Sequence, residues 1–276
     1  MLLPGRTAGY LPLPDGAQLP YLALGDGPTA IAVIPGAGDG LTTVVDGALR
    51  LAWYYRRRAH RYRVLVLSRR QPIPPHFRQD QHAGDLLWAL EQLQWGPTVL
   101  ECNSAGGPVG QWMAVRRPDL IRGLILSSTL HRTVEHTRTV LQLWMVLAHE
   151  GRWAELNWSS IEYTFRPQTV ARYRPLRPFT GLLPKPRYAE RLERILEELL
   201  YLDNRPLLPG IACPTLVIGG ADDRVIPADV QREMAALIPH SEIILYPGYG
   251  HGNDQENPDY ERQVSRFAGG LGLARY

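Results

Sequence analysis

Ser104 stands where the apolar run "TVLEC" gives way to Asn103, Ala105 and two glycines, Gly106 and Gly107. A hydroxyl at so abrupt a reversal either fills an ordinary turn or is pushed into a pocket to react. Serine is a weak nucleophile at neutral pH and needs a general base within hydrogen-bond reach, oriented in turn by a carboxylate. Two later stretches carry those residue types. "GGADDRVIP" holds Asp222 and Asp223, and "YPGYGHGNDQENP" holds His251 between Gly250 and Gly252. The order along the chain is serine, acid, histidine, with His251 lying 28 positions beyond Asp223. Such a set supports acyl transfer. The hydroxyl attacks, the imidazole carries the proton, and the carboxylate stabilises the imidazolium.

Each of these stretches follows a run with the character of a buried strand. Six such runs are "TAIAVIPG" (29–36), "YRVLVLS" (62–68), "TVLEC", "IRGLILSS" (121–128), "ACPTLVIGG" (212–220) and "SEIILYPG" (241–248). Helix-like stretches separate them, among them "DQHAGDLLWALEQLQW" with its acidic start and Gly96-Pro97 stop. This alternation predicts an α/β fold with a mostly parallel central sheet and helices on both faces. Sites in such sheets form at the carboxyl ends of the strands, which is where Ser104, the two aspartates and His251 all fall. Between about residues 130 and 208 the rhythm breaks. That segment lacks β-branched apolar runs and holds "TVLQLWMVLAHEGRWAELNW" and "RYAERLERILEELLYLDN". It is predicted to be a helical insertion after the run 121–128, taken as the sixth strand of the sheet. The expected division is a core of residues 1–129 and 209–276 and an insertion of residues 130–208.

On these residues the chain resembles the α/β-hydrolase superfamily over nearly its whole length. The family's Gly-x-Ser-x-Gly-Gly elbow is matched by Cys102-Asn103-Ser104-Ala105-Gly106-Gly107, its acid loop by "GGADDRVIP" and its histidine loop by "GYGHGNDQENPDY". "VIPGAGDG" (33–40) is similar to the loop that supplies an oxyanion-hole amide, and the insertion sits where these enzymes carry a helical cap. The resemblance implies Ser104 as nucleophile and His251 as base. Its Gly-x-x-Asp spacing, counted from Gly220, implies Asp223 as the acid with Asp222 as the fallback. It also implies an oxyanion hole made by the backbone N–H groups of Ala37 and Ala105. Two positions depart from the pattern: Cys102 replaces the first elbow glycine, and Pro35 replaces the histidine often found before the loop glycine. The activity implied is that of a serine hydrolase cleaving a small ester, lactone or thioester through an acyl-enzyme. Carbon–carbon bond hydrolysis and an aminopeptidase reaction use the same machinery, and a non-catalytic ligand-binding protein on the same fold is the reading from a different class. Haloalkane dehalogenases and epoxide hydrolases carry aspartate at the elbow apex, where this chain has Ser104.

The bulk composition narrows the remaining classes. The chain has 276 residues, is 45% hydrophobic and carries a formal charge of +3. No apolar stretch approaches the roughly 20 residues that span a bilayer, and the N-terminus has no basic start followed by an apolar segment. The expectation is a cytoplasmic protein without membrane association. Cys102 and Cys213, the only cysteines, fall on strands expected to be two spacings apart, too far for a disulfide. Lys185 is the only lysine, so arginine supplies the positive charge. The dense patch "RRRAHRYR" (56–63) reads as a solvated helix end, not as a nucleic-acid footprint. No histidine or cysteine spacing suits a metal, and "IPGAGDG" is only part of a dinucleotide fingerprint, so no metal and no cofactor are expected. The insertion's aromatics, Trp144, Trp153, Trp158, Tyr163, Phe165, Tyr173 and Phe179, either line an apolar acyl or aryl pocket or hold the insertion together. The expected partner is a small-molecule substrate with an apolar acyl or aryl group, and a homodimer is left open.

Overall fold

In a computed structural model of the chain, residues 5–182 and 186–273 are described; residues 1–4 of the N-terminal stretch and Lys185 lie outside them. Strands β1 (Arg6–Pro12) and β2 (Gln18–Leu24) form an antiparallel hairpin. Six strands follow: β3 (Thr29–Ile34), β4 (Tyr62–Leu67), β5 (Thr98–Asn103), β6 (Ile121–Ser127), β7 (Thr215–Gly220) and β8 (Ser241–Tyr246). The sheet order is β1-β2-β4-β3-β5-β6-β7-β8, parallel from β4 through β8. The six apolar runs are therefore the parallel strands, within one to three residues at each end. The hairpin was not anticipated. β1 is mostly exposed along its length and carries no apolar run to announce it.

The helices, in chain order, are α1 (Ala48–Tyr55), α2 (Gln79–Gln92), α3 (Gly107–Arg116), α4 (Glu135–His149), α5 (Trp153–Thr164), α6 (Pro167–Tyr173), α7 (Ala189–Glu197), α8 (Ala228–Leu237), α9 (Asn253–Glu256) and α10 (Tyr260–Leu273). Side chains of β5 alternate between the two faces, as the strand's period of two requires. Leu100 and Cys102 join one core with Leu86 and Leu90 of α2, Met113 of α3 and Met234 of α8. Val99 joins the other with Ala52 of α1 and Val264 and Phe267 of α10. Near-continuous apolar strands are the consequence of this double cover.

Helices α4 to α7 form the insertion between β6 and β7. Their own core, including Val140, Trp144, Leu156, Leu192 and Ile195, also takes in Ala105, Val225 and Ile226 from loops at the carboxyl edge of the sheet. α7 is shorter than the "RYAERLERILEELLYLDN" stretch suggested, ending at Glu197 and passing into turns. Just beyond it, Glu198 Oε1 lies 2.9 Å from His82 Nε2 of α2. Burial pushes the Glu198 carboxyl up and the His82 imidazole down, each disfavouring its charged form.

One part of the arginine patch departs from its sequence reading. Arg58 is not solvated; it is buried and pairs with Glu101 of β5 and, at 2.6 Å, with Glu261 of α10. Tyr260 Oη donates to the other Glu101 oxygen at 2.9 Å. A buried carboxylate in a central strand is tolerated only with such partners. Cys102 and Cys213 are free and buried. Among the described residues, no helix is long and apolar enough to cross a membrane.

Candidate active site

β5 runs directly into a 3-10 turn, Ser104–Gly106, and then into α3. Ser104 takes φ +48°, the left-handed region that costs a side-chain-bearing residue energy and that persists where its surroundings impose it. Here they do. A Cβ on Gly106 would come 2.5 Å from the Ile34 carbonyl oxygen of β3, so only glycine permits the approach. Cys102, in place of the first elbow glycine, is accommodated by α3. A Cβ on Gly110 would stand 2.2 Å from its sulfur, so that glycine leaves the room the thiol occupies. Burial pushes the Cys102 thiol well above its ordinary value, which makes it a packing group, not a nucleophile.

Ser104 Oγ lies 2.9 Å from His251 Nε2, and His251 Nδ1 lies 2.9 Å from Asp223 Oδ2. The other Asp223 oxygen accepts the backbone N–H groups of Val225 and Ile226, both at 2.8 Å, which fix the carboxylate's orientation. Asp223 is buried and His251 only slightly exposed. Asp222 faces solvent and accepts the Gly248 N–H at 2.7 Å, fastening the histidine loop without touching the imidazole. Burial opposes charge on His251, but the Asp223 carboxylate, its hydrogen bond and the nearby Asp254 outweigh it and hold the imidazole above its ordinary value.

Ala37 begins the 3-10 turn Ala37–Gly40, and Ala105 is the second residue of the elbow turn. The first N–H groups of a helical turn have no acceptor within it, and neither of these two donates to a loop carbonyl or side chain among the described residues. A Cβ on Gly36 would come 3.0 Å from Ser104 Cβ, so the two loops are in close contact. The chain thus brings Ser104, His251, Asp223 and the Ala37 and Ala105 turns to one rim.

A cavity of about 330 Å³ opens on this rim. Its wall mixes apolar Val44, Leu51, Tyr55, Val66 and Trp144 with polar Thr42, Arg50, Tyr54, Ser160 and Asp254. Of the seven insertion aromatics, only Trp144 lines it; Tyr163 packs edge-on against Trp144, and Phe165 against Tyr173. Trp144 and Trp158 are buried within the insertion, whereas Tyr173 and Phe179 are exposed.

Several residues of the site carry no local sequence signal. Asp39, in the Ala37 turn, accepts from Ser68, from the Arg69 N–H at 3.0 Å and from Arg191 of α7 at 2.6 Å. Arg191 donates further to the Asp39, Arg69 and Arg70 carbonyls. Asp254, three residues past His251, accepts from the Tyr54 hydroxyl at 3.1 Å, and burial raises its carboxyl above the usual range. Each depends on a partner dozens to hundreds of residues away, so no spacing rule reveals it. Among the described residues there is no group of three or more histidine, cysteine or carboxylate side chains able to hold a metal ion.

Residues 31–261 match the Alpha/beta hydrolase family. "Putative carbamate hydrolase RutD" of Klebsiella pneumoniae subsp. pneumoniae is 27% identical over 200 residues, covering 71% of this chain and 74% of that protein. A 2-hydroxy-6-oxononadienedioate/2-hydroxy-6-oxononatrienedioate hydrolase of Pseudomonas sp is 24% identical over 220 residues, covering 74% of this chain and 75% of its own. Among solved structures, MGS-M2, an alpha/beta hydrolase from a Medee basin deep-sea metagenome, superposes with a TM-score of 0.80 at 18% identity, covering 97% of this chain and 98% of its own. With the match spanning most of its length and the fold agreeing throughout, the chain belongs to the alpha/beta hydrolase family.

Proposed function

We propose that the protein is a serine hydrolase that cleaves a small ester, lactone or thioester through an acyl-enzyme. The observation that carries this is the unbroken chain of contacts from Ser104 Oγ through the imidazole to Asp223. In the reaction, Oγ attacks the substrate carbonyl carbon while its proton passes to His251 Nε2. The negative charge that develops on the carbonyl oxygen is met by the Ala37 and Ala105 N–H groups. Nε2 then returns the proton to the leaving group, and water repeats the cycle on the acyl-enzyme. Asp223 keeps the Nδ1 proton in place, so that Nε2 presents its lone pair. Residues 130–208 act as a cap over the core of residues 1–129 and 209–276, with Trp144, Ser160 and Thr164 closing the cavity from above. The mixed wall suits a short acyl group with a polar substituent better than a long apolar chain. The relatives' names, both hydrolases, support the reaction class.

The purified protein is expected to hydrolyse p-nitrophenyl acetate and to incorporate one fluorophosphonate per chain, with the label recovered on the peptide containing Ser104. Labelling elsewhere, or saturable binding of the ester without turnover, would remove the assignment. The pH profile gives a second check. The base must be neutral, so kcat/KM should fall on the acid side with an apparent pKa above about 6.5, because the neighbouring carboxylates favour the imidazolium. Asp254→Asn removes one of those negative charges and should move that limb to lower pH. An acid limb that does not move would mean that Asp254 does not act on His251.

A further inference from the structure

The N–H of Ala105 and the carbonyl of Ser104 belong to one peptide unit, which is planar and turns as a single body. That carbonyl accepts a hydrogen bond of 2.5 Å from Thr129 Oγ1, just past the end of β6. The next carbonyl, of Ala105, accepts from Arg69 Nη2 at 2.7 Å, and Nη1 of the same guanidinium donates to the Pro35 carbonyl at 3.3 Å. Pro35 lies two residues before Ala37, so one side chain spans both loops that carry the oxyanion donors. Thr129 and Arg69 are both buried to within about 1%. Arg69 is itself held by its backbone N–H on Asp39.

We infer that Thr129 and Arg69 are positioning residues of the oxyanion hole, which aim and space its two N–H donors through the carbonyls of the same loops. The inference rests on the serine-hydrolase reading above. Two physical effects are involved. Thr129, by pinning the Ser104 carbonyl, fixes the direction of the Ala105 N–H on the same peptide, while Arg69 holds the neighbouring peptide of each loop and so sets their spacing. A donor on the carbonyl oxygen also polarises the peptide and makes its N–H a stronger donor, since hydrogen bonds in a chain reinforce one another at low dielectric. Neither side chain lines the cavity. Buried carbonyls need donors in any case, so the inference must be separated from simple satisfaction of the core.

Thr129→Val keeps the shape and removes the hydroxyl; Thr129→Ser keeps the hydroxyl. In Thr129→Val, kcat on p-nitrophenyl acetate should fall by roughly 10- to 100-fold with KM within about twofold, the size expected for a donor misaligned but not deleted. Affinity for an aryl trifluoromethyl ketone, whose adduct with Ser104 places an oxyanion in the hole, should fall in proportion, and Thr129→Ser should recover both. A purely structural role would lower the melting temperature and leave kcat and the ketone affinity of the folded protein unchanged, which would overturn the inference. If Thr129→Val does not fold, Arg69→Lys is decisive. It keeps the charge but replaces the planar fork that spans the two carbonyls with a single ammonium nitrogen, and an unchanged kcat would have the same consequence. Should the wild-type protein neither turn over the ester nor take the fluorophosphonate, the hydrolase reading fails first, and the two failures are distinguishable.

Discussion

Ser104→Ala is expected to reduce kcat on p-nitrophenyl acetate by roughly 10⁴- to 10⁶-fold while leaving KM within a few-fold, since the serine contributes to the reaction and little to ground-state binding. Residual turnover above that of water would come from the oxyanion amides and the cavity, which the substitution leaves in place. No other group at the elbow can take over. Cys102 is the nearest alternative nucleophile, and it is fully buried with its thiol held well above its ordinary pKa. Alanine removes the hydroxyl without adding bulk at the contact with Gly36. Equal activity in wild type and variant would show that hydrolysis, if present, occurs elsewhere on the chain.

The second large effect separates the two adjacent aspartates. Asp223→Asn should cost about 10⁴-fold in kcat, whereas Asp222→Asn should stay within several-fold of wild type. In Asp223→Asn the amide oxygen can still accept from the Val225 and Ile226 N–H groups, so the loop keeps its shape. The amide nitrogen then faces Nδ1, which must accept. The ring flips to the tautomer with its proton on Nε2, and Ser104 loses its base. The acid limb of the profile should also move to lower pH, because the main group favouring the imidazolium is gone. Asp222 contributes a bond to Gly248 at the loop's surface, and asparagine can keep its acceptor oxygen. The reverse pattern, a large loss from Asp222→Asn alone, would assign the orienting role to Asp222.

What the sequence made legible follows from how locally each feature is encoded. The parallel strands announce themselves because both faces are covered, so "TVLEC" and "PTLVIGG" are nearly all apolar and buried. The candidate site residues were legible as a set because each sits in a short glycine-bearing loop after a strand, and at Gly106 the glycine is required by the close approach of β3. The N-terminal hairpin was not visible, since an edge strand packed on one side only, with β1 largely exposed, lacks a continuous apolar signal. Arg58 misled for a related reason. In a run of arginines nothing local distinguishes the one whose guanidinium turns inward to Glu101 from those in solvent. Asp39, Arg69, Thr129 and Arg191 escaped altogether, because their meaning lies in pairings between β3, β4, β6 and α7 that only the folded chain creates. The insertion aromatics were left between two roles, because which of them lines the cavity depends on helix rotation; of the seven it is Trp144.

The Arg191–Asp39 contact has a consequence for any attempt to exchange substrate preference by grafting another relative's lid onto this scaffold. The insertion is tied to the rest of the chain at several points, among them Arg191 to the turn bearing Ala37, Thr137 to the Val225 carbonyl, and the Thr164 carbonyl to the Gly252 N–H at 2.8 Å, next to His251. A transplanted segment without an arginine in that place would leave the buried Asp39 carboxylate with only Ser68, the Arg69 N–H and the Arg69 guanidinium 3.9 Å away, and would forfeit part of the roughly 3–5 kcal/mol that breaking a buried pair costs. Chimeras of this scaffold therefore need either that arginine carried across or a neutral residue at position 39, and the junctions cannot be chosen from the helix boundaries alone.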